Sequence, residues 1–190
     1  MAPRLPPPHR RCGDPQQSVL ALRHHRDKVQ ALAWHPAEQA LLLSAAYDAR
    51  ACVADVRSPG AARSWQLGVG SDPEAVAWDP HRPHLFVVSS EDGTVRCFDA
   101  RSDGEAVWDM RAHRKAASAV DFNPAAAGVL ATGSADKTVA LWDMRSLKSK
   151  LHSFEGHTEE VYQIGWSPFN ETILASASSD RRVMMWDLSK

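Results

Sequence analysis

No stretch of the chain is apolar for long enough to cross a bilayer, and its charges nearly cancel, at a formal −1. On the first absence, neither a helical membrane anchor nor a secretory leader is expected. The second removes any global pull towards nucleic acid or anionic lipid, and no basic stripe runs along the sequence, so direct nucleic-acid binding is not expected. Cysteine is scarce. There are three, Cys12, Cys52 and Cys97, an odd number with no CxxC spacing, which argues against a disulfide framework and against a thiolate zinc site. Cys52 and Cys97 sit in apolar runs, where a reduced thiol acts as a small hydrophobe, so a reducing compartment is expected. Phosphate-loop, HExxH and nucleophile-elbow motifs are missing too. His81 and His84 in DPHRPH lack further ligands nearby in sequence, so neither a metal nor a cofactor is expected.

What the chain has is a period. Trp34, Trp78, Phe122 and Trp166 are spaced by 44 residues, as are Pro36, Pro80, Pro124 and Pro168. The turn aspartates Asp48, Asp92, Asp136 and Asp180 keep the same spacing, and so do Asp55, Asp99, Asp143 and Asp187. A fixed period in the low forties means one supersecondary unit stacked on copies of itself. The repeats run over about 18–58, 59–102, 103–146 and 147–190. Residues 1–17, with five of the twelve prolines, read as a disordered Pro/Arg-rich leader.

The third repeat shows the unit most clearly. Residues 116–122 alternate into an inner strand that Pro124 closes, 128–133 form a second, and 134–137 a polar turn. Residues 138–143, rich in β-formers, supply a third strand and 150–154 an outer fourth. The other inner strands fall near 28–34, 74–79 and 160–166, so the fold class is all-β with four-stranded units.

Trp142-Asp143 and Trp186-Asp187 at the repeat ends resemble WD40 β-propeller blades. His113, Thr132, Asp136 and Trp142, repeated as His157, Ser176, Asp180 and Trp186, match the buried hydrogen-bonded tetrad of that family. A His, a hydroxyl and an Asp also compose a hydrolase triad, but an active site occurs once and this set recurs on the period, so it reads as a structural staple. Repeat one keeps His25, Ser44 and Asp48 with Ala54 in the Trp place. Repeat two has Val69, Val88 and Phe98 there and keeps only Asp92, which is therefore expected to be the least tied of the turns.

Two finer resemblances divide the chain. Residues 24–102, with HHRDKVQALAWHP and AVAWDPHRPHLFVVSSEDGTVRCFDARS, resemble periodic tryptophan protein 1 homologues, which implies a nucleolar, ribosome-biogenesis role. Residues 129–190, with WDMRSLKSKLHSFEGH, WSPFNETILAS and DRRVMMWDLSK, are similar to retinoblastoma-binding, MSI-type histone-binding proteins. That likeness implies a non-catalytic nuclear scaffold on chromatin that takes basic peptides such as histone tails on its top face. Glu160 and Tyr162 stand in the matching places, with Asp72 and Glu74 on another blade. The long helix and acidic loop with which that family holds a helix of histone H4 have no counterpart, so H4 binding is not implied. Trp142, Asp143 and Arg145 resemble the WDxR adaptor-docking motif of cullin-4 ligase substrate receptors, although an Arg paired locally at a strand end is the simpler reading. The implied location is the nucleus, with nucleolus and cytoplasm as alternatives.

Four repeats leave closure open. Residues 18–23, SVLALR, read as an outer strand able to complete the last blade and close sixteen strands into a ring. An open arc and a part of a larger propeller are the other arrangements.

Overall fold

The computed structural model describes residues 20–68 and 70–190, so the leader at 1–17 lies outside the described residues. Among the described residues, fifteen strands form four antiparallel sheets. Blade 1 comprises β1 (Val29–Trp34), β2 (Leu41–Ala46), β3 (Arg50–Asp55) and β4 (Ala62–Gln66). Blade 2 comprises β5 (Pro73–Trp78), β6 (Leu85–Ser90), β7 (Thr94–Asp99) and β8 (Trp108–Arg111). Blade 3 comprises β9 (Ala119–Phe122), β10 (Val129–Gly133), β11 (Thr138–Asp143) and β12 (His152–Glu155). Blade 4 has β13 (Val161–Trp166), β14 (Ile173–Ser178) and β15 (Val183–Asp187). Blades and sequence repeats are offset by one strand: β4, β8 and β12 each lie in the repeat after the one whose sheet they complete.

Each blade is a meander, because its strands are joined by turns too short for a crossover. The turn between the second and third strands recurs in detail. Ala49, Gly93, Lys137 and Arg181, one residue after each turn aspartate, all have positive φ, from 59° to 80°. A left-handed residue is what a tight hairpin of matching twist requires. In blade 2 that residue must be glycine, since a Cβ at Gly93 would lie 2.5 Å from the His113 carbonyl oxygen and 2.6 Å from that of Lys115.

The core lies between blades. Leu43, Ala45, Ala51 and Val53 of blade 1 pack on Val76, Trp78, Phe86 and Val88 of blade 2. The joint between blades 3 and 4 uses equivalent positions, with Ala131, Val139 and Leu141 against Val161, Ile164, Trp166 and Leu174. Polar links accompany the packing. Trp78 Nε1–H donates to the Ala33 carbonyl (3.2 Å) and Trp166 Nε1–H to that of Asp121 (3.4 Å), one blade back in each case.

Of the three arrangements left open, the sixteen-strand ring is not seen: Leu20–Arg23 is not a strand, residues 18 and 19 lie outside the described residues, and among the described residues blade 4 has three strands. The inner strands pack in series, β1 on β5, β5 on β9 and β9 on β13, with no comparable packing of β13 on β1. The blades therefore form an open arc. Its two ends are apolar and uncovered among the described residues.

Asp121, on β9 in the joint between blades 3 and 4, accepts the Trp166 backbone N–H at 3.2 Å. Burial pushes its carboxyl up to about 6, against the pull of that N–H and of the Phe122 N–H. A carboxyl whose folded pKa exceeds its unfolded value burdens the fold above that range and ceases to do so as the group protonates. Asp121→Asn, which keeps an acceptor for Trp166, should therefore raise the urea midpoint at pH 7.5, with the gain shrinking as pH falls through 6 towards 4. A midpoint lowered at pH 7.5 would contradict this placement of the carboxylate.

Candidate functional site

The tetrads have full geometry in blades 3 and 4. Trp142 Nε1–H donates to Thr132 Oγ1 (2.9 Å), which lies 2.7 Å from His113 Nε2, while His113 Nδ1 is 3.1 Å from Asp136 Oδ2. The consistent assignment has the hydroxyl donating to a neutral imidazole whose Nδ1–H donates to the carboxylate. In blade 4 the corresponding distances are 2.9 Å for Trp186 to Ser176, 2.8 Å for His157 to Ser176 and 2.9 Å for His157 to Asp180. Burial alone would raise the Asp136 carboxyl, but hydrogen bonds from His113 and Thr138 outweigh it and hold the group far below the usual carboxylate range. Thr132 is wholly buried and its hydroxyl is committed to Trp142 and His113, so it cannot reach a substrate. The arrangement ties a loop, a turn and two strands together. It is a staple.

Blade 1 keeps most of the tetrad, with His25 Nε2 2.8 Å from Ser44 Oγ and Nδ1 3.2 Å from Asp48. Blade 2 overturns the expectation that Asp92 has lost its partners. Ser71 Oγ–H donates to Asp92 Oδ2 at 3.0 Å, Arg96 Nη2 donates to the same oxygen at 3.1 Å, and Arg96 Nη1 donates to Ser71 Oγ at 2.8 Å. A cation and a displaced hydroxyl thus replace the histidine. Sequence alignment at fixed spacing missed them because Ser71 and Arg96 occupy places that are not tetrad positions in the other blades.

Two of the four peptide-binding candidates, Glu74 and Tyr162, meet around the axis. A cavity of about 410 Å³ is lined by all four inner strands and includes Gln30, Glu74, Ser118 and Tyr162, which share one position of the repeat. In blades 1, 2 and 4 the ladder register slips at that position, between Val29 and Ala31, Pro73 and Ala75, and Val161 and Gln163. The unpaired residue of such a bulge is re-aimed, here towards the axis. Nothing in the composition of those strands announced the bulge. Glu74 is half-buried, and burial raises its carboxyl, with Glu91 and Asp72 adding repulsion and the Gln30 amide (3.4 Å) and the Lys28 charge offsetting part of it. Asp72 and Glu160 do not line the cavity; they stand two residues before Glu74 and Tyr162 in their blades.

The adaptor-docking candidates are differently placed. Trp142 is buried and belongs to the tetrad. Arg145 pairs in two-pronged fashion with Asp143, Nε to Oδ1 at 2.9 Å and Nη2 to Oδ2 at 2.8 Å, which draws the Asp143 carboxyl down to about 2. Arg57 and Arg101 do the same with Asp55 and Asp99. Each is a local clasp at a strand end. Of the DPHRPH histidines, His81 Nε2 lies 3.2 Å from the Asn123 carbonyl, a link between blades, and among the described residues no cluster of metal-ligating side chains occurs.

Comparison with known families agrees with this geometry. Residues 16–55 match the WD domain, G-beta repeat, and residues 64–186 match the EIPR1 beta-propeller. The chain belongs to the EIPR1 beta-propeller family. No curated protein matches it. As an EIPR1-type propeller of WD40 repeats the chain is a protein-interaction scaffold, of a kind typically without catalytic activity.

Because Arg96 is mostly buried and faces Asp92, Asp92→Ala strands a cation as well as a hydroxyl. It should lower the urea midpoint at least as far as Asp136→Ala does, each at a cost of about 1–3 kcal/mol. Asp92→Ala combined with Arg96→Met should recover part of the loss. A double variant no more stable than Asp92→Ala alone would show that Arg96 is not the partner that matters.

Proposed function

We propose that this EIPR1-type propeller is a non-catalytic nuclear scaffold whose axial cavity takes a Lys/Arg-rich segment such as a histone H3 tail. The observation that carries the reading is Glu74. It is a carboxylate partly withdrawn from water, beside Asp72 and Glu91, and although the Lys28 charge offsets part of this, among the described residues it forms no ion pair. A lysine or arginine arriving there relieves both the desolvation and the like-charge repulsion. Tyr162, more than half exposed on the facing wall, offers an aromatic face of the kind that attracts a cation. The likeness of residues 129–190 to histone-binding WD40 proteins supports the same peptide class, and Glu160 and Asp72 would extend the negative field beyond the cavity.

Fluorescence anisotropy with an unmodified H3-tail peptide at two salt concentrations tests this. Binding should be weak and should fall with salt, since exposed charges are screened over about 8 Å at physiological ionic strength. Glu74→Lys should reduce affinity by an order of magnitude or more, and Glu160→Lys by less. Affinity should also decline as pH falls through the elevated titration range of Glu74, because the carboxylate is the binding form. An H4 helical peptide should not bind. Peptide binding indifferent to Glu74→Lys would place the interaction elsewhere.

A further inference from the structure

Both ends of the arc are apolar, and the repeat itself shows what fits them. On blade 1, Leu32 is 63% exposed and Trp34 56%. Their equivalents, 132 residues on, are Ile164 and Trp166, which are buried against blade 3. On blade 4, Val183 and Met185 are each 73% exposed. Their equivalents, 44 residues back, are Val139 and Leu141, which are buried against blade 4. The two open faces are thus the two halves of the joint that already holds blades 3 and 4 together. Smaller features agree. A Cβ built on Gly165 meets nothing within 4 Å, whereas Asp121, the equivalent residue in blade 3, is packed under blade 4. Among the described residues the Trp34 indole lacks the link made by its equivalents Trp78 and Trp166, whose Nε1–H groups reach carbonyls of the preceding blade.

We infer that a second copy of this chain covers these faces, blade 4 of each copy packing on blade 1 of the other in the manner of the joint between blades 3 and 4. The contact is head-to-tail, so one joint leaves a matching pair of faces free, and a second joint between the same two chains closes the set. The product is a two-fold ring of eight blades, within the range that propellers adopt. Trp34 would then donate to the Gly165 carbonyl of the other copy. Leu32 and Val29 would meet Ala177 of the other copy, as Ile164 and Val161 meet Gly133; a Cβ at Gly133 would lie 3.1 Å from Ile164 Cγ2 and 2.8 Å from Val161 Cγ1, so the new joint must open slightly to admit the Ala177 methyl.

Light scattering on the purified chain should give twice its mass of 20.9 kDa at tens of micromolar. Trp34→Asp and Met185→Asp should each give a monomer of unchanged circular dichroism, since both side chains are on the surface of the single chain. A variant carrying Leu32→Cys and Ala177→Cys should form disulfide-linked dimers on mild oxidation, and neither single change should do so. A monomeric parent chain would overturn the proposal and leave these faces to another occupant, such as further blades. Open-ended polymers, or a dimer unaffected by Trp34→Asp and Met185→Asp, would overturn it equally.

Discussion

The joint between neighbouring blades is the interaction on which this structure rests. A single blade is a twisted meander of short strands with two apolar faces, and alone it buries neither. Stacking makes the face of one blade the core of the next, so the largest buried side chains, among them Phe86, Leu43 and Leu174, lie between sheets. Burial of apolar area at roughly 25 cal/mol per Å² drives the stacking, and the inner-strand indoles add directed links to the preceding backbone. The same logic explains the two uncovered ends, since a joint repeated in series always leaves one half-joint at each extremity.

The tetrads serve a different purpose from the joints. They hold each blade's loop to its own turn, and they tolerate replacement as long as the turn aspartate finds donors. Blade 2 makes the point, with Ser71 and Arg96 taking over what His113 and Thr132 contribute to blade 3. Function is then left to positions where the blades differ. Around the axis one position of the repeat carries Gln30, Glu74, Ser118 and Tyr162, four different side chains, on a bulge in blades 1, 2 and 4.

Much of this was legible in the spacing of the residues. The 44-residue period identifies the blades, the aspartate turns and the tetrads of blades 3 and 4, because those depend on chemistry that recurs in register. The bulges and the left-handed turn residue were not legible, since Ala49, Lys137 and Arg181 occupy a conformation that sequence normally signals with glycine, present only at Gly93. The partners of Asp92 escaped notice because they come from outside the repeating set. Closure through residues 18–23 stayed one of three open arrangements, because strand count says nothing about whether β13 can reach β1. The histone-binding and ribosome-biogenesis likenesses rest on short strings, whereas the family match to residues 64–186 reaches across three blades.

Whether joints or staples dominate stability can be separated, because blade 2 lacks the tetrad but is covered on both faces while blade 4 has the tetrad but one open face. Native-state hydrogen exchange on the chain carrying Trp34→Asp, which keeps both ends uncovered, compares the two directly. Amides of β6 in blade 2 should exchange more slowly than those of β14 in blade 4. Slower exchange in β14 would show that the tetrad, and not the joint between blades, is what holds the arc together.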